Sequence, residues 1–208
     1  EKYIKINKIE IPRVLTIIPS RGTSKEIFPN PLKIFGNKTL IDWTLESIVL
    51  SNFSENVMLT TPDQKLIDYV ASKFPKIISI KRKNELARLN LGLEETINES
   101  IQFFSKNFFL PDAILILYLE YPFKKYWQIN EAVHTMKIFN VNMVDGIQID
   151  DRFYYKHDGK GLKPIQENVM LRLERDELYR RVGGIHLMET KFFLKNKKMI
   201  AGKIGHIH

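Results

Sequence analysis

Through the first 150 residues the chain alternates short apolar runs with stretches that are apolar at every third or fourth position. Val14–Ile18 is a β-branched run stopped by Pro19, and it predicts a buried strand. Thr39, with Asp42 three residues on, has the form of a capping box. Ile41, Leu45, Ile48 and Val49 then share one face of a helix that runs to about Ser51. Asn56–Thr61 predicts a second strand, and Pro62 and Asp63 open a helix that buries Leu66, Ile67, Val70, Ala71 and Phe74. Ile77–Ile80 predicts a third strand. A helix through Leu93, Ile97, Ile101 and Phe104 follows, then a strongly apolar strand at Ala113–Leu119. A helix with Ile129, Ala132, Val133 and Met136 inward leads to a strand at Met143–Ile149. This alternation predicts an α/β fold: a mostly parallel central sheet with crossover helices on both faces.

The rhythm breaks at Asp150. Residues 150–181 are rich in charge and aromatics, and His157-Asp158-Gly159 is a turn signal. That segment predicts an excursion from the sheet and a candidate dimer contact. Val182–Met188 returns to strand character, with a short helix near Glu189–Leu194 and a last strand at Lys203–His208. Residues 1–13 alternate polar and apolar, as a lead-in strand or linker would, so residues 14–208 are expected to form one domain. The opening at Glu1 and the strand reaching His208 suggest a piece of a longer protein.

Candidate chemistry gathers after the first strand, where Arg21-Gly22-Thr23-Ser24-Lys25 forms a small cationic loop. The carboxyl end of a strand is where open α/β sheets bind ligands. Gly22 permits close backbone approach, Arg21 and Lys25 supply charge, and Thr23 and Ser24 supply hydroxyl donors. Such a loop suits an anion, most simply a phosphate. With 44% hydrophobic and 27% charged residues the composition is that of a globular protein. No apolar run approaches the ~18–20 residues of a membrane span. The chain has no cysteine, which excludes disulfides, thiol catalysis and thiolate zinc sites and fits a reducing, cytoplasmic setting. The net charge of +8 suggests an anionic ligand and keeps nucleic acid among the alternatives.

Four blocks, in order, resemble the acylneuraminate cytidylyltransferases, the CMP-sialic acid synthetase group. S-R-G-T-S-K-E-I-F-P-N-P-L-K-I-F-G-N-K-T-L-I, from Ser20 to Ile41, lies without a gap along the family's opening pattern. It matches at Arg21, Gly22, Ser24, Lys25, Ile27, Lys33, Gly36, Lys38, Leu40 and Ile41. Arg82-Lys83-Asn84-Glu85-Leu86-Ala87 meets R-P-x-E-L-A, and Tyr118–Lys124 with the helix around Glu131 meets Q-P-T-S-P-L-R and its following helix. Val182–His186 and Ala201–Gly205 meet the fourth block.

The resemblance implies a Rossmann-like nucleotidyltransferase fold and an enzyme that joins CTP to a sialic-acid-like sugar acid, releasing pyrophosphate, with a magnesium ion (Mg2+). It implies that Arg21 and Lys25 act on the nucleotide phosphates within the Gly22–Ser24 cradle, that Lys33 adds charge, and that Arg82 and Glu85 serve the base side. Lys124 and His186 fall at substrate positions, and a homodimer is implied. Glu120-Tyr121-Pro122-Phe123 follows a buried strand as D-x-P-[LF] does in related cytidylyltransferases, which puts Glu120 at a metal position. The chain departs from the family at Asn30-Pro31, Leu89, Leu93, Tyr118 and Val182.

Plainer readings stand beside these. Arg82 and Glu85 can form an ion pair, and Asp145, Asp150 and Asp151 can be turn residues flanking a strand. Trp127, Phe192 and Phe193 read as core, and Lys191, Lys195, Lys197 and Lys198 as a solvated face. A catalytically impaired member that binds nucleotide or a partner is the alternative function, and a basic nucleic-acid-binding module is a further one.

Overall fold

The computed structural model describes residues 10–23, 30–87, 92–165 and 178–208. The elements run β1 (Val14–Pro19), a hairpin of β2 (Ile34–Phe35) and β3 (Lys38–Thr39), α1 (Leu40–Val49), β4 (Val57–Thr61), α2 (Gln64–Lys73) and β5 (Ile78–Lys81). A 3-10 turn at Asn84–Ala87 leads to α3 (Glu94–Asn107), β6 (Ala113–Leu117), α4 (Tyr126–Ile138) and β7 (Met143–Asp150). Then come β8 (Tyr155–His157), β9 (Leu162–Pro164), β10 (Leu178–Glu189), α5 (Thr190–Asn196) and β11 (Ile204–Ile207).

Among the described residues the central sheet has the order β11-β7-β10-β6-β1-β4-β5. β1 pairs in parallel with both β4 and β6, so the path from β1 proceeds outward on one side and returns to the other. Alternation along each strand divides the core. Val14, Ile18, Leu59, Leu115 and Leu187 pack with Leu45 of α1, Val70 of α2 and Val133 of α4. Leu15, Ile17, Met58, Ile114 and Ile116 pack with Ile97 and Phe104 of α3 and Phe193 of α5. Helices α1 and α2 thus cover one face and α3 the other, which makes the junction of β1 and β6 a topological switch point. Its crevice opens at the carboxyl ends of those two strands.

The predicted capping box is present: Thr39 Oγ1 accepts from the Asp42 amide and the Thr39 amide donates to Asp42. Three apolar assignments are corrected, the first at Val49, which is exposed at the end of α1 while Ile41, Leu45 and Ile48 are buried. Trp127 is exposed, because in α4 it lies almost opposite the face that buries Ile129, Ala132 and Met136. Ala71 is likewise exposed, since α2 buries only Leu66 and Val70. Asp145 and Asp150 are not turn residues; both belong to β7 and are buried. β10 runs antiparallel to β6 and β7, which hydropathy alone does not reveal. Its pairing with β7 reaches from Met188 and Met143 out to Leu178 and Asp150, with a bulge between Arg181 and His186. The described part of the excursion carries the β8–β9 hairpin, and the return strand begins at Leu178.

Asp42 ties the first two helices together. Its carboxylate, 2% exposed, accepts from Lys73 Nζ at 2.7 Å and from Tyr69 Oη at 2.9 Å. Burial alone would raise this carboxyl, but the hydrogen bonds from Lys73, Thr39 and Tyr69 outweigh it and hold it below the ordinary 3.8. The lowered pKa places the stabilisation above pH 3.8, and it is lost as pH falls through the folded-state value. Asp42→Ala is expected to cost about 1–2 kcal/mol at neutral pH by urea unfolding, because it removes the carboxylate half of the capping box and the acceptor of the half-buried Tyr69 hydroxyl. The gap between variant and parent should close under acid conditions.

Candidate active site

The loop after β1 is held from several directions. The Ser20 amide donates to Thr60 O at 2.9 Å, and the Gly22 amide to Ser20 Oγ at 3.2 Å. Gly22 has φ +106°, and a Cβ there would lie 2.9 Å from Asp63 Cβ. Glycine therefore lets Asp63 close on the loop. Asp63 accepts from the Thr23 amide at 2.7 Å and from the Thr23 hydroxyl, while its other oxygen caps α2 through the Lys65 amide. Asn30 Nδ2 donates to Thr23 O at 3.0 Å, and Asn30 Oδ1 accepts from the Leu32 amide at 2.9 Å. Asn30, where the resembling family carries lysine, organises the loop here.

Arg82 lies beneath this loop. It is buried, donating to Ser20 O at 2.8 Å and to Thr96 Oγ1 at 2.9 Å, so it does not pair with Glu85 among the described residues. Burial pushes its guanidinium down to about 10, the neighbouring charge of Arg21 acts in the same direction, and Glu99 opposes. Arg82 is thus a strut whose charge adds to that of half-exposed Arg21 above it. Glu85 is exposed on the 3-10 turn. Ser24 and Lys25 lie outside the described residues.

The other wall of the crevice is the turn after β6. Lys124 is buried beneath it, with Nζ donating to Tyr118 O at 2.8 Å, Tyr121 O at 2.5 Å and Thr44 Oγ1 at 3.1 Å. All three ammonium protons have acceptors, and α1 is joined to both ends of the turn. Gly183 and Gly184, at φ +80° and +84°, form the bulge of β10. A Cβ on Gly183 would lie 2.5 Å from the Tyr121 ring, so the bulge seats that ring. Glu120 is exposed at the apex.

Between turn, hairpin and sheet lies a pocket of about 600 Å³, lined by Lys33, Glu120, Phe123, Gly146, Val182 and Ile207 among others. Lys33 follows the anchored Asn30, so one segment passes from loop to pocket. Lys38 is instead spent on Glu46 and stacks over Trp43 at 4.9 Å.

His186 points to the opposite face from Ile185, which lines the pocket. It is fully buried, with Nδ1 on Asp145 Oδ1, and Arg181 Nε donates to the same oxygen at 2.9 Å. Arg181 also lies 6.0 Å from the Tyr118 ring. Burial raises the Tyr118 hydroxyl, with Arg181 opposing. The structure therefore brings Arg21, Gly22, Thr23 and Arg82 together at one wall and Lys33, Glu120 and Lys124 at the other. It leaves Glu85 outside and His186 behind the sheet. Asp63 and Arg181 went unrecognised: Asp63 is legible only as a helix cap, and nothing local marks its reach to Thr23, 40 positions away.

No group of three His, Asp or Glu side chains able to hold a metal occurs among the described residues. Glu120 offers one hard carboxylate oxygen donor set, which fits a cation completed by phosphate oxygens rather than a cage of protein ligands.

An α/β sheet whose switch-point crevice lies between a cationic glycine loop and a carboxylate-bearing turn has the design of a nucleotidyltransferase. Residues 15–148 match the family model described as Cytidylyltransferase, and the chain belongs to that family. It is 24% identical over 190 residues to the CMP-N,N'-diacetyllegionaminic acid synthase of Legionella pneumophila, covering 89% of this chain and 82% of that protein. Among solved structures, 4-diphosphocytidyl-2C-methyl-D-erythritol synthase from Anaerococcus prevotii superposes with TM-score 0.70 at 12% identity, over 96% of this chain and 88% of that one. A CMP:2-keto-3-deoxy-manno-octonic acid synthetase complexed with CTP gives 0.62 at 12% identity, over 88% and 76%. These two likenesses establish the fold.

Burial pushes the Lys124 ammonium from 10.5 down to about 7, with Glu120 pulling the other way. Between those values the unfolded chain holds a proton that the folded one has released, so stability rises with pH across the window. Relative to Lys124→Met, the parent should gain up to about 1.4 kcal/mol per pH unit between pH 7 and 10, read by urea unfolding.

Proposed function

We propose that the protein transfers CMP from CTP to a hydroxyl of a sialic-acid-like sugar acid. The observation that carries this reading is the family match over residues 15–148, which spans both the Arg21 loop and the Glu120 turn. The named activity of the Legionella relative supports a sugar acid as acceptor.

In this reading the acceptor oxygen attacks the α-phosphorus and a new P–O bond forms. The bond from that phosphorus to the bridging oxygen breaks, pyrophosphate leaves, and the hydroxyl proton passes to solvent. Such chemistry needs placement and charge neutralisation more than covalent help. Arg21 meets the phosphates at one wall, with Gly22 and Thr23 as the cradle and Ser24 and Lys25 continuing it. Arg82 holds the cradle from below, and Asp63 fixes Thr23. Lys33 and Glu120 face the acceptor side, and Lys124 keeps the Glu120 turn in place. Mg2+ held at Glu120 would neutralise charge developing on the triphosphate. Glu85 and His186 act at a distance, the first at the rim on the base side and the second through the Asp145 and Arg181 network. A homodimer through the 150–181 excursion and a cytoplasmic setting belong to the same proposal, carried by the family resemblance.

Protein supplied with CTP, Mg2+ and a panel of nonulosonic and octulosonic acids should release pyrophosphate. Arg21→Ala should lower kcat/KM about 100-fold or more, the scale on which a single charge-stabilising donor acts. Glu120→Gln should raise the Mg2+ concentration needed for half-maximal rate. CTP binding without pyrophosphate release across the whole panel would overturn the transfer reading.

A further inference from the structure

The crevice occupies the carboxyl ends of β1 and β6, and the opposite end of the sheet has a different surface. Residues 10–13 enter β1 there, 108–112 enter β6, 139–142 enter β7 and 197–203 enter β11. β10 descends to the same end, since Glu189 pairs with Ala113 and Met188 with Met143. These segments are tied to one another. Arg13 donates to Leu110 O at 3.3 Å, the Thr190 amide to Asp112 O at 3.0 Å, and Lys203 Nζ to Phe139 O at 2.9 Å. Ile11, Lys137, Asn140 and Lys191 line one cavity of about 300 Å³ between them.

Apolar tips and lysines intermingle over this end. Ile11, Phe108, Leu110, Phe139 and Ile200 are all exposed, Phe139 at 61% and Ile200 at 55%. Lys137, Lys191, Lys195, Lys198 and Lys203 are exposed as well. From Thr190 to His208 the chain carries five lysines and no Asp or Glu. Of the nearby carboxylates, Asp112 is paired with Arg13 at 3.1 Å and Glu189 accepts from Asn142 at 3.2 Å, while Glu10 and Glu55 are exposed. The balance is cationic. The apolar tips stand on four separate segments that reach one end of the sheet, so a planar partner meets them without a matched groove. Nucleic acid would answer the lysines but leave Phe139 and Ile200 in water. An anionic bilayer surface takes both, the apolar tips among acyl chains and the ammonium groups at the phosphates.

We infer that this end of the sheet is a docking surface for an anionic lipid bilayer. Phe139 and Ile200 enter the interface, and Lys195, Lys198 and Lys203 face the headgroup phosphates. No helix among the described residues is long and apolar enough to cross a membrane, so the contact is with the bilayer surface. In that orientation the crevice, at the other end of the strands, opens toward water and its dissolved ligands. The surface shares no residue with the crevice and does not rest on the reading given to it.

The test is co-sedimentation of the full chain with vesicles, phosphatidylcholine alone against an equal mixture with phosphatidylglycerol. Partition to the mixed vesicles should exceed that to the neutral ones about 100-fold, since each of three lysines near an anionic surface adds roughly fivefold. Lys195→Gln combined with Lys198→Gln should lower it about 25-fold on the same scale. Phe139→Ser combined with Ile200→Ser should lower it about tenfold or more by removing the inserted tips. Both pairs lie on the surface, and thermal unfolding checks that the variants stay folded. Equal partition to the two vesicles, or none to either, would overturn the inference. A loss in the glutamine variant with none in the serine variant would also overturn it, as attraction to polyanions in general, and duplex DNA would then bind with the same lysine dependence. A serine variant that turns a dimer into a monomer by light scattering, with vesicle binding unchanged, would make the face a contact between copies and overturn it too.

Discussion

A single buried ammonium fixes the relation between the two halves of the crevice. Lys124 is only 7% exposed, and its position is tolerable because two carbonyls and a hydroxyl accept from its Nζ. Those acceptors belong to α1 and to the turn after β6, segments that are not adjacent in sequence. The cost of burying the charge is therefore converted into a geometric constraint. If the turn opened, the ammonium would lose two of its acceptors together, so the wall bearing Glu120 is stiffened from behind rather than by contacts at its own surface. Such an arrangement leaves the exposed face of the turn free for chemistry.

The facing loop is organised on a complementary principle, with a buried guanidinium under the Ser20 carbonyl and a carboxylate on Thr23. Arg82 and Asp63 carry opposite charges, yet each is engaged with the loop backbone or hydroxyl rather than with the other. The loop is shaped by hydrogen bonds that a bound phosphate need not create. Pre-ordered sites of this kind bind anions with less loss of conformational freedom.

Much of the sheet was legible because its apolar runs are short and bounded by prolines and polar turns, and because each helix repeats its buried face. Strand direction was not legible. β10 has the same apolar content whichever way it runs, and its direction shows only in its antiparallel pairing with β6 and β7. At the site, Arg21, Gly22 and Glu120 could be found because strand ends and turn residues announce themselves locally. The roles of Lys124, Arg82 and Asn30 could not, since each depends on acceptors brought near by the fold. His186 illustrates the same limit: a one-residue step along β10 carries it from the pocket side, where Ile185 lies, to the opposite face.

The aromatic group at the pocket mouth has an optical consequence. The chain contains two tryptophans, and Trp43 packs edge-on to Phe123 at 5.6 Å while its indole nitrogen donates to Phe35 O at 3.0 Å. Any molecule covering Phe35 and Phe123 alters the polarity around that indole, whereas Trp127 stands in solvent on the exposed side of α4. Occupancy of the pocket is thus coupled to the emission of one intrinsic fluorophore. The other provides a solvent-exposed background, so ligand entry can be followed without attaching a dye.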